Sequence, residues 1–298
     1  MYDPHGDTSV ATRTAEFANL FFAEGEPEHS VTFGAASHIG RVRTQNEDHY
    51  AVVRLRRRLE LLKSSLPKDA ADAPDALAHA LVVADGMGGM KSGELASRLA
   101  LQTMLELVSQ ATSWNMTLTN PEFQQIEKRI KAYVRKIHEA LCERSRQDPA
   151  ATDMGTTWTS AHLLRNQAVL AHMGDSRAYL FRDGALRQIT RDETMAQALI
   201  DGGLPPETVT KFRHIVLNSF GGGNEQVEAK IHYVELEPGD RLLLCTDGLV
   251  DMVPDAQIAA ELGKNPEPQA ACDALVARAL ANGGKDNVTV VLAAIGGE

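Results

Sequence analysis

The sequence predicts an α+β fold in which two antiparallel β-sheets pack against each other and helices cover both outer faces. Short segments with apolar residues at every second position are joined by tight turns such as 182–184, which indicates antiparallel hairpins. Two longer stretches have apolar residues that repeat every three or four positions, as on one face of a helix. Because predicted strands lie on both sides of this helix pair in the chain, two sheets with helices outside are favoured.

The first part of the chain alternates between polar and apolar segments. Residues 1–29 form a polar arm that we expect to be loose. A strand is predicted at 31–37, and a polar loop follows at 40–48. The basic stretch 54–63 carries leucines at helical spacing. Its part 54–58 is interpreted as a solvated helix face, with a docking site for an acidic partner as the alternative. A linker is predicted at 68–74, where large apolar residues are scarce.

The helix pair follows a short buried strand. The apolar run 80–84 predicts that strand, and it leads into a glycine-rich loop at 85–89. An apolar stripe from Leu95 to Val108 indicates the first helix. The second helix begins at Asn120, because asparagine caps helices and the proline that follows is tolerated in the first turn.

The apolar period then changes to two, which predicts a series of short strands. Their predicted positions are 157–164, 167–173, 178–181, 185–189, 231–236, 241–246 and 288–295. The segment Gly174-Asp175-Ser176-Arg177 is predicted to be a structural polar turn. A looser region covers 190–225, and one more helix is predicted at 269–280.

Composition excludes several classes of protein. No run of about eighteen apolar residues occurs in the 298 residues, so no membrane-spanning helix is expected. Thirty Lys and Arg against forty Asp and Glu give a net charge of −10, which argues against nucleic-acid binding. The three cysteines form no Cys-x-x-Cys pair, and the N-terminal segment lacks the pattern of a secretory signal. A cytoplasmic protein without a disulfide framework is therefore expected.

Acidic residues mark the ends of several predicted strands. Asp85 and Asp247 each follow an apolar strand and precede a glycine, and Asp286 lies just before the last strand. Glu47 and Asp48 lie in the loop after the first strand. Each Asp-Gly alone is an ordinary turn, but a carboxylate at the end of a buried strand is costly unless a cation or hydrogen bonds compensate it. Their repeated occurrence therefore indicates a shared site.

An all-oxygen site of this kind suits Mg²⁺ or Mn²⁺ rather than Zn²⁺. Two such ions can share a hydroxide that attacks a phosphoryl group in line. Arg43, close before the acidic pair, is the natural ligand for the phosphate because its guanidinium is a bidentate donor. The residues alone therefore indicate metal-dependent hydrolysis of a phosphoester.

Six motifs in order resemble the PPM/PP2C family of metal-dependent Ser/Thr protein phosphatases, in its bacterial type. These motifs are Arg43-Thr44-Gln45-Asn46-Glu47-Asp48, Asp85-Gly86-Met87-Gly88-Gly89, Gly155-Thr156-Thr157, Gly174-Asp175-Ser176-Arg177, Thr246-Asp247-Gly248-Leu249 and Gly284-Lys285-Asp286-Asn287. The resemblance begins near Ser30, so it implies one phosphatase domain at 30–298 after the arm at 1–29. The fold that it implies, a sandwich of two antiparallel sheets between helices, agrees with the period analysis.

The resemblance also implies a role for each site residue. Asp85, Asp247 and Asp286 would hold the first metal ion, while Asp85, the carbonyl of Gly86 and, through water, Glu47 would hold the second. Asp48 would orient the attacking water and Arg43 would take the phosphate, with no covalent intermediate. A third, weaker ion would lie at Asp247 and Asp251, with Asp153 as a further candidate.

The chain departs from the family pattern at three places. Met87 stands where eukaryotic members have a histidine that protonates the leaving oxygen, so the general acid is left open. Glu193 stands where the family often has histidine, at the start of a mobile flap that the resemblance places at 190–225. The stretch 54–79 is an insertion relative to compact members.

The expected partners are phosphorylated proteins, the substrates of a Ser/Thr kinase, and the expected state is a monomer. Two other functions remain open at this point. The chain could be a non-catalytic binding module on the same fold, although such a module has no need for three costly carboxylates. It could also act on small phosphoesters instead of proteins.

Overall fold

The computed structural model describes residues 30–57, 76–88, 92–109, 120–164, 166–221, 223–224 and 226–296. The predicted arm at 1–29 and the predicted linker at 68–74 lie outside these residues. Two five-stranded antiparallel sheets and one three-stranded sheet form the framework. The strands are β1 Val31–His38, β2 His49–Arg57, β3 Ala76–Ala84, β4 Gly86–Met87, β5 Gly155–Thr156, β6 Trp158–Leu164, β7 Gln167–Met173, β8 Arg177–Arg182, β9 Ala185–Gln188, β10 Phe220–Gly221, β11 Lys230–Glu235, β12 Arg241–Cys245 and β13 Val288–Ile295.

The helices lie outside the sheets. They are α1 Ser92–Ser109, α2 Asn120–Gln147, α3 Met195–Asp201, α4 Asp247–Val250, α5 Asp255–Lys264 and α6 Pro268–Ala281. The first large sheet has the strand order β1-β13-β12-β8-β9, and the second has the order β11-β7-β6-β3-β2. The small sheet, β10-β5-β4, joins strands that lie beside the predicted acidic residues.

Three apolar layers hold the sandwich together. The middle layer lies between the two large sheets and contains Leu81 and Leu170 from one sheet and Leu244 and Val291 from the other. One outer layer packs α1 and α2 on the second sheet, and the other packs α5 and α6 on the first sheet. Alternate side chains of a strand point to opposite faces, so each central strand contributes to two of the three layers. This arrangement confirms the predicted α+β sandwich.

The predicted helix face at 54–58 is wrong for residues 54–57, which the structure describes. Residues 54–57 belong to β2, where Arg54 pairs with His79 and Arg57 pairs with Ala76 on β3. The leucine spacing was compatible with a helix, but cross-strand pairing with an apolar neighbour decides the conformation of such a short stretch. Both ends of the predicted insertion at 54–79 thus belong to one β-hairpin.

Several short elements were missed by the sequence analysis. Helix α5 buries only a few large side chains, among them Ile258 and Leu262, so its apolar stripe is too short to stand out. The region 190–225, predicted only as loose, contains α3 and the short strand β10 as well as two turns of 3₁₀ helix. No helix among the described residues is long and apolar enough to cross a bilayer.

Gly34 gives a direct test of how α6 packs on β1. A Cβ at this position would lie 2.3 Å from the backbone carbon of Pro268, the first residue of α6. We expect Gly34→Ala to lower the free energy of unfolding by roughly 1–3 kcal/mol, because the helix would have to move away from the sheet. Urea unfolding measures this change.

Gly263 is the matched control for that substitution. It lies in α5, and a Cβ there would meet its nearest neighbour, Phe181 Cζ, at an ordinary 3.6 Å. Gly263→Ala should therefore raise the free energy of unfolding by about 0.5–1 kcal/mol, since alanine loses less backbone entropy in a helix. A Gly34→Ala protein as stable as the unsubstituted protein would contradict the described packing of α6 on β1.

Candidate active site

The predicted acidic residues meet at one edge of the sandwich. Asp85 lies between β3 and β4, Asp247 begins α4 after β12, and Asp286 precedes β13. With Arg43 and Glu47 from the β1–β2 loop they line one cleft of about 220 Å³. The other residues that line this cleft are Gly86, Met87, Gly88, Thr157, Asp175, His214, Val216 and Asn287. The structure therefore brings residues from seven separate chain segments into one place.

Asn287 ties the β1–β2 loop to the start of β13. Its side-chain oxygen accepts a hydrogen bond from the Glu47 backbone N–H at 2.8 Å. Its side-chain nitrogen donates to the backbone carbonyls of Ile39 and Gln45, at 2.9 and 3.0 Å. Because Asn287 is buried, these bonds fix the loop that carries Arg43 and Glu47.

Two threonines fix the backbone at Asp85. The Thr156 hydroxyl donates to the Asp85 carbonyl at 2.8 Å, and the Asp85 N–H donates to the Thr157 hydroxyl at 3.0 Å. The next residue, Gly86, has no room for a side chain, because a Cβ there would lie 2.2 Å from the Gly93 carbonyl oxygen. The Asp85-Gly86 turn is therefore held in close contact with helix α1.

Asp48 lies beneath the cleft rather than in its wall. Its side chain is buried, and its Oδ2 accepts a hydrogen bond from the Thr246 hydroxyl at 2.8 Å. Its Oδ1 is also buried and has no hydrogen-bond donor among the described residues. Burial raises the pKa of Asp48 to about 7, because the charged form loses its hydration.

Asp85 and Asp247 have the same kind of environment. Burial raises the pKa of Asp85 well above its usual range, and the carboxylates of Asp48 and Asp247 raise it further. Burial also raises the pKa of Asp247, and the carboxylates of Asp175 and Asp286 raise it further. The Asp247 Oδ1 is buried without a donor in the described part of the chain. Several buried carboxylates therefore repel one another, which favours binding of a cation.

The donor set fits a hard divalent cation. It consists of carboxylate oxygens and the Gly86 carbonyl, and no described histidine or cysteine accompanies them at the strand ends. Two of the carboxylates, those of Asp48 and Asp247, have a buried oxygen without a hydrogen-bond donor. Within the described ranges, no three acidic, histidine or cysteine side chains already surround one point as metal ligands. Side-chain rotations would therefore have to bring these oxygens together around an ion.

Arg43 provides the positive charge at the rim of the cleft. Its side chain is half exposed, and its Nη2 donates to Asp286 Oδ2 at 2.6 Å. This hydrogen bond raises the pKa of Arg43, so the group remains a cation. A cation next to a cavity of phosphate size can bind a phosphoryl group through several N–H donors.

Asp175 is a site residue that the sequence analysis treated as part of a structural turn. It is buried, it lines the cleft, and burial raises its pKa to about 7. Like Asp85 and Asp247, Asp175 is an acidic residue that follows the end of a buried strand, here β7, so the same sequence pattern could have identified it. His214 also lines the cleft, but nothing in the sequence of the region 190–225 distinguishes it.

A second cavity of about 530 Å³ adjoins the cleft and shares Asp175, His214 and Asp247 with it. Its walls come from the region 190–225 and from α4, and they include Asp251. Asp153, by contrast, is exposed and lines neither cavity. The structure thus places Asp251 next to the acidic cluster but gives no support to Asp153 as a ligand.

Comparison with known proteins gives a consistent result. A sequence profile described as protein phosphatase 2C matches residues 64–266. The serine/threonine protein phosphatase PstP of Mycobacterium tuberculosis is 37% identical over 225 residues, which are 74% of this chain and 41% of that protein. The chain thus spans about two fifths of the length of this relative. The serine/threonine phosphatase Stp of Listeria monocytogenes is 30% identical over 71% of this chain and 82% of its own length.

Solved structures agree with the described fold. The catalytic domain of PstP in complex with two manganese ions has a TM-score of 0.70 and 33% identity to this chain. The match covers 90% of this chain and 99% of that domain.

Proposed function

The chain belongs to the protein phosphatase 2C family, and from this premise we propose that it is a metal-dependent protein serine/threonine phosphatase that hydrolyses phosphoserine and phosphothreonine without a covalent intermediate. The observation that carries the proposal is the set of carboxylates at strand ends, buried or half-buried, gathered around a cleft with an arginine at its rim. The similarity to PstP, whose catalytic domain was solved with two manganese ions, supports it.

Two Mn²⁺ or Mg²⁺ ions are the proposed cofactors. Asp85, Asp247 and Asp286 would hold one of them, and Asp85, the Gly86 carbonyl and Glu47 would hold the other. Asp251 with Asp247 would provide a third, weaker position. When bound, the ions would supply positive charge that stabilises the phosphoryl group and activates water as the nucleophile.

The protein's own side chains position the substrate and the attacking water. Arg43 would bind the phosphate and stabilise the negative charge that develops on it. Asp48 would accept a hydrogen bond from the attacking water at its unsatisfied Oδ1, while the Thr246 hydroxyl fixes its Oδ2. A leaving oxygen beside Met87 would take its proton from water, because the thioether has none to give.

The proposed substrates are phosphoproteins made by a Ser/Thr kinase, and the proposed setting is a cytoplasmic monomer that acts in signalling. The region 190–225 is proposed to serve as a flap, since residues from it line the second cavity next to the cleft. Peptide residues on one side of the phosphoresidue would lie against this flap.

A comparison of substrates tests the proposal. With Mn²⁺ present, kcat/KM for a phosphothreonine peptide should exceed that for free phosphoserine by at least about tenfold, because the peptide also contacts the cleft rim and the flap. Equal values for both substrates would favour a phosphatase of small phosphoesters. No turnover by a folded protein that also binds no Mn²⁺ would favour a non-catalytic binding module.

The pH dependence of stability provides a second test. The raised pKa values of Asp48 and Asp175, both about 7, stabilise the metal-free fold at low pH, and this contribution is lost as pH rises through them. The buried His162 and His172, with pKa values lowered to about 4, act in the opposite sense, because stability is gained as pH rises through their unfolded pKa of about 6.5. Between pH 6.5 and 8.5 these two histidines offset part of the loss, while Asp85 and Asp247, whose pKa values are raised well above their usual range, add to it.

We expect the Tm in excess EDTA to fall by at least roughly 4 °C between pH 6.5 and 8.5. In saturating Mn²⁺ the fall should disappear, since the ion compensates the ionised carboxylates. Differential scanning calorimetry measures both curves. A metal-free Tm that rises over this interval would contradict the described acidic cluster.

A further inference from the structure

Two cations near Arg43 have no role in the proposed chemistry. Arg41 and Lys285 are both exposed. Neither side chain makes an ion pair or a hydrogen bond within the described part of the chain. Two exposed cations without ion pairs therefore add local positive charge beside an acidic cleft, in a protein whose net charge is −10.

Backbone contacts place these two cations on the same rim as Arg43. The Arg41 N–H donates to the Gly284 carbonyl at 2.7 Å, so Arg41 lies beside the residue that precedes Lys285. Gly40 approaches the same segment so closely that a Cβ on it would lie 2.3 Å from the Asp286 carbonyl oxygen. The segments 40–43 and 284–286 therefore run side by side, and the Arg43–Asp286 ion pair links their ends.

The opposite side of the cleft differs in charge. Arg213, an exposed cation of the flap, lines a cavity together with Asp251, whose carboxylate offsets its charge, and Arg177 in the same cavity is paired with Asp192. The excess of positive charge next to the phosphate position is therefore on the rim formed by Arg41, Arg43 and Lys285, which we call the cationic rim. Once Arg43 holds the phosphate, Arg41 and Lys285 remain available for another anionic group.

We propose that Arg41 and Lys285 form a subsite for an acidic side chain of the substrate, and that the enzyme consequently favours phosphopeptides with Asp or Glu near the phosphoresidue. This proposal rests on the proposed phosphatase function. Two residues of chain span at most roughly 7 Å, so Arg41 lies within that backbone distance of Arg43, and a side chain two positions from the phosphothreonine can reach it. An acidic residue two positions from the phosphothreonine is therefore the expected match.

The test uses three phosphothreonine peptides that differ only at the positions two residues before and after the phosphothreonine. These positions carry Asp, Ala or Lys. The variant is Arg41→Gln with Lys285→Gln, and neither residue is assigned to catalysis. The matched control is Arg135→Gln with Lys136→Gln, which removes the same two charge types from the exposed face of α2.

The unsubstituted protein should hydrolyse the Asp peptide with the highest kcat/KM and the Lys peptide with the lowest. In the rim variant, kcat/KM for the Asp peptide should fall roughly 3–10-fold, while the value for the Ala peptide changes less than about twofold. The difference should shrink at high ionic strength, because exposed charges are screened. The control variant should keep the order of the three peptides.

Binding provides a readout that does not depend on turnover. Fluorescence anisotropy in EDTA should show weaker binding of the labelled Asp peptide to the rim variant than to the control variant. Equal loss on all three peptides, or no loss on the Asp peptide, would overturn the subsite. If the unsubstituted protein hydrolyses none of the three peptides, the proposed phosphatase function fails. That result is distinguishable from failure of the subsite alone, in which all three peptides are hydrolysed without a preference for Asp.

Discussion

Asp247→Asn is expected to lower kcat for a phosphothreonine peptide in Mn²⁺ by more than roughly 100-fold. Asp247 is half-buried in the same cleft as Asp175 and Asp286, and its buried Oδ1 has no donor in the described part of the chain. The amide keeps the shape of the side chain but removes the negative charge that a cation requires. A peptide assay at saturating Mn²⁺ measures the loss.

The same variant should behave differently without metal. At pH 8 in EDTA its Tm should be higher than that of the unsubstituted protein, because one of several repelling carboxylates is gone. Added Mn²⁺ should raise its Tm much less than it raises that of the unsubstituted protein. Asp273→Asn, on the exposed face of α6, is the control and should change neither quantity. Full activity of Asp247→Asn would remove Asp247 from the proposed metal site.

Arg43→Ala is expected to lower kcat/KM for the same peptide by about 100-fold, since one positioned donor group to a developing negative charge commonly contributes that much. The loss should appear in kcat as well as in KM, because the charge on the phosphoryl group increases in the transition state. Arg43→Lys should recover only part of it, because an ammonium group cannot donate the two parallel hydrogen bonds of a guanidinium.

Inhibition by inorganic phosphate gives an independent measurement of that role. The inhibition constant should rise in Arg43→Ala and should be unaffected by the double substitution at Arg135 and Lys136. If Arg43→Ala keeps the phosphate affinity and the kcat of the unsubstituted protein, the ion pair with Asp286 is only structural.

The strands were predictable wherever two independent signals agreed. The hairpin β8–β9 has both alternating apolar residues and a glycine turn at 182–184, and the last strand, β13, was predicted with its observed bounds. Where one signal stood alone, tertiary contacts decided the outcome. Residues 54–57 carry part of a helical pattern but pair with β3, and the small sheet β10-β5-β4 consists of strands too short to leave any period.

The candidate site was predictable to the extent that its residues share one local pattern. Asp85 and Asp247 follow buried strands, and the motif with Asn287 marks Asp286, so these were found. Asp175 follows the same pattern but was assigned to a turn, since the sequence does not reveal that it lines the same cleft as Asp85 and Asp247. His214 reaches the cleft through the path of the flap, which depends on contacts between distant segments.

Metal-dependent hydrolysis of a phosphothreonine peptide tests the central claim most directly. The peptide would be incubated with the protein in Mn²⁺, then with excess EDTA, and then after Mn²⁺ is restored, with released phosphate measured at each stage. We predict turnover in Mn²⁺, its loss in EDTA and its recovery when Mn²⁺ returns. Turnover that continues undiminished in EDTA would contradict the account, because the clustered carboxylates would then serve another purpose.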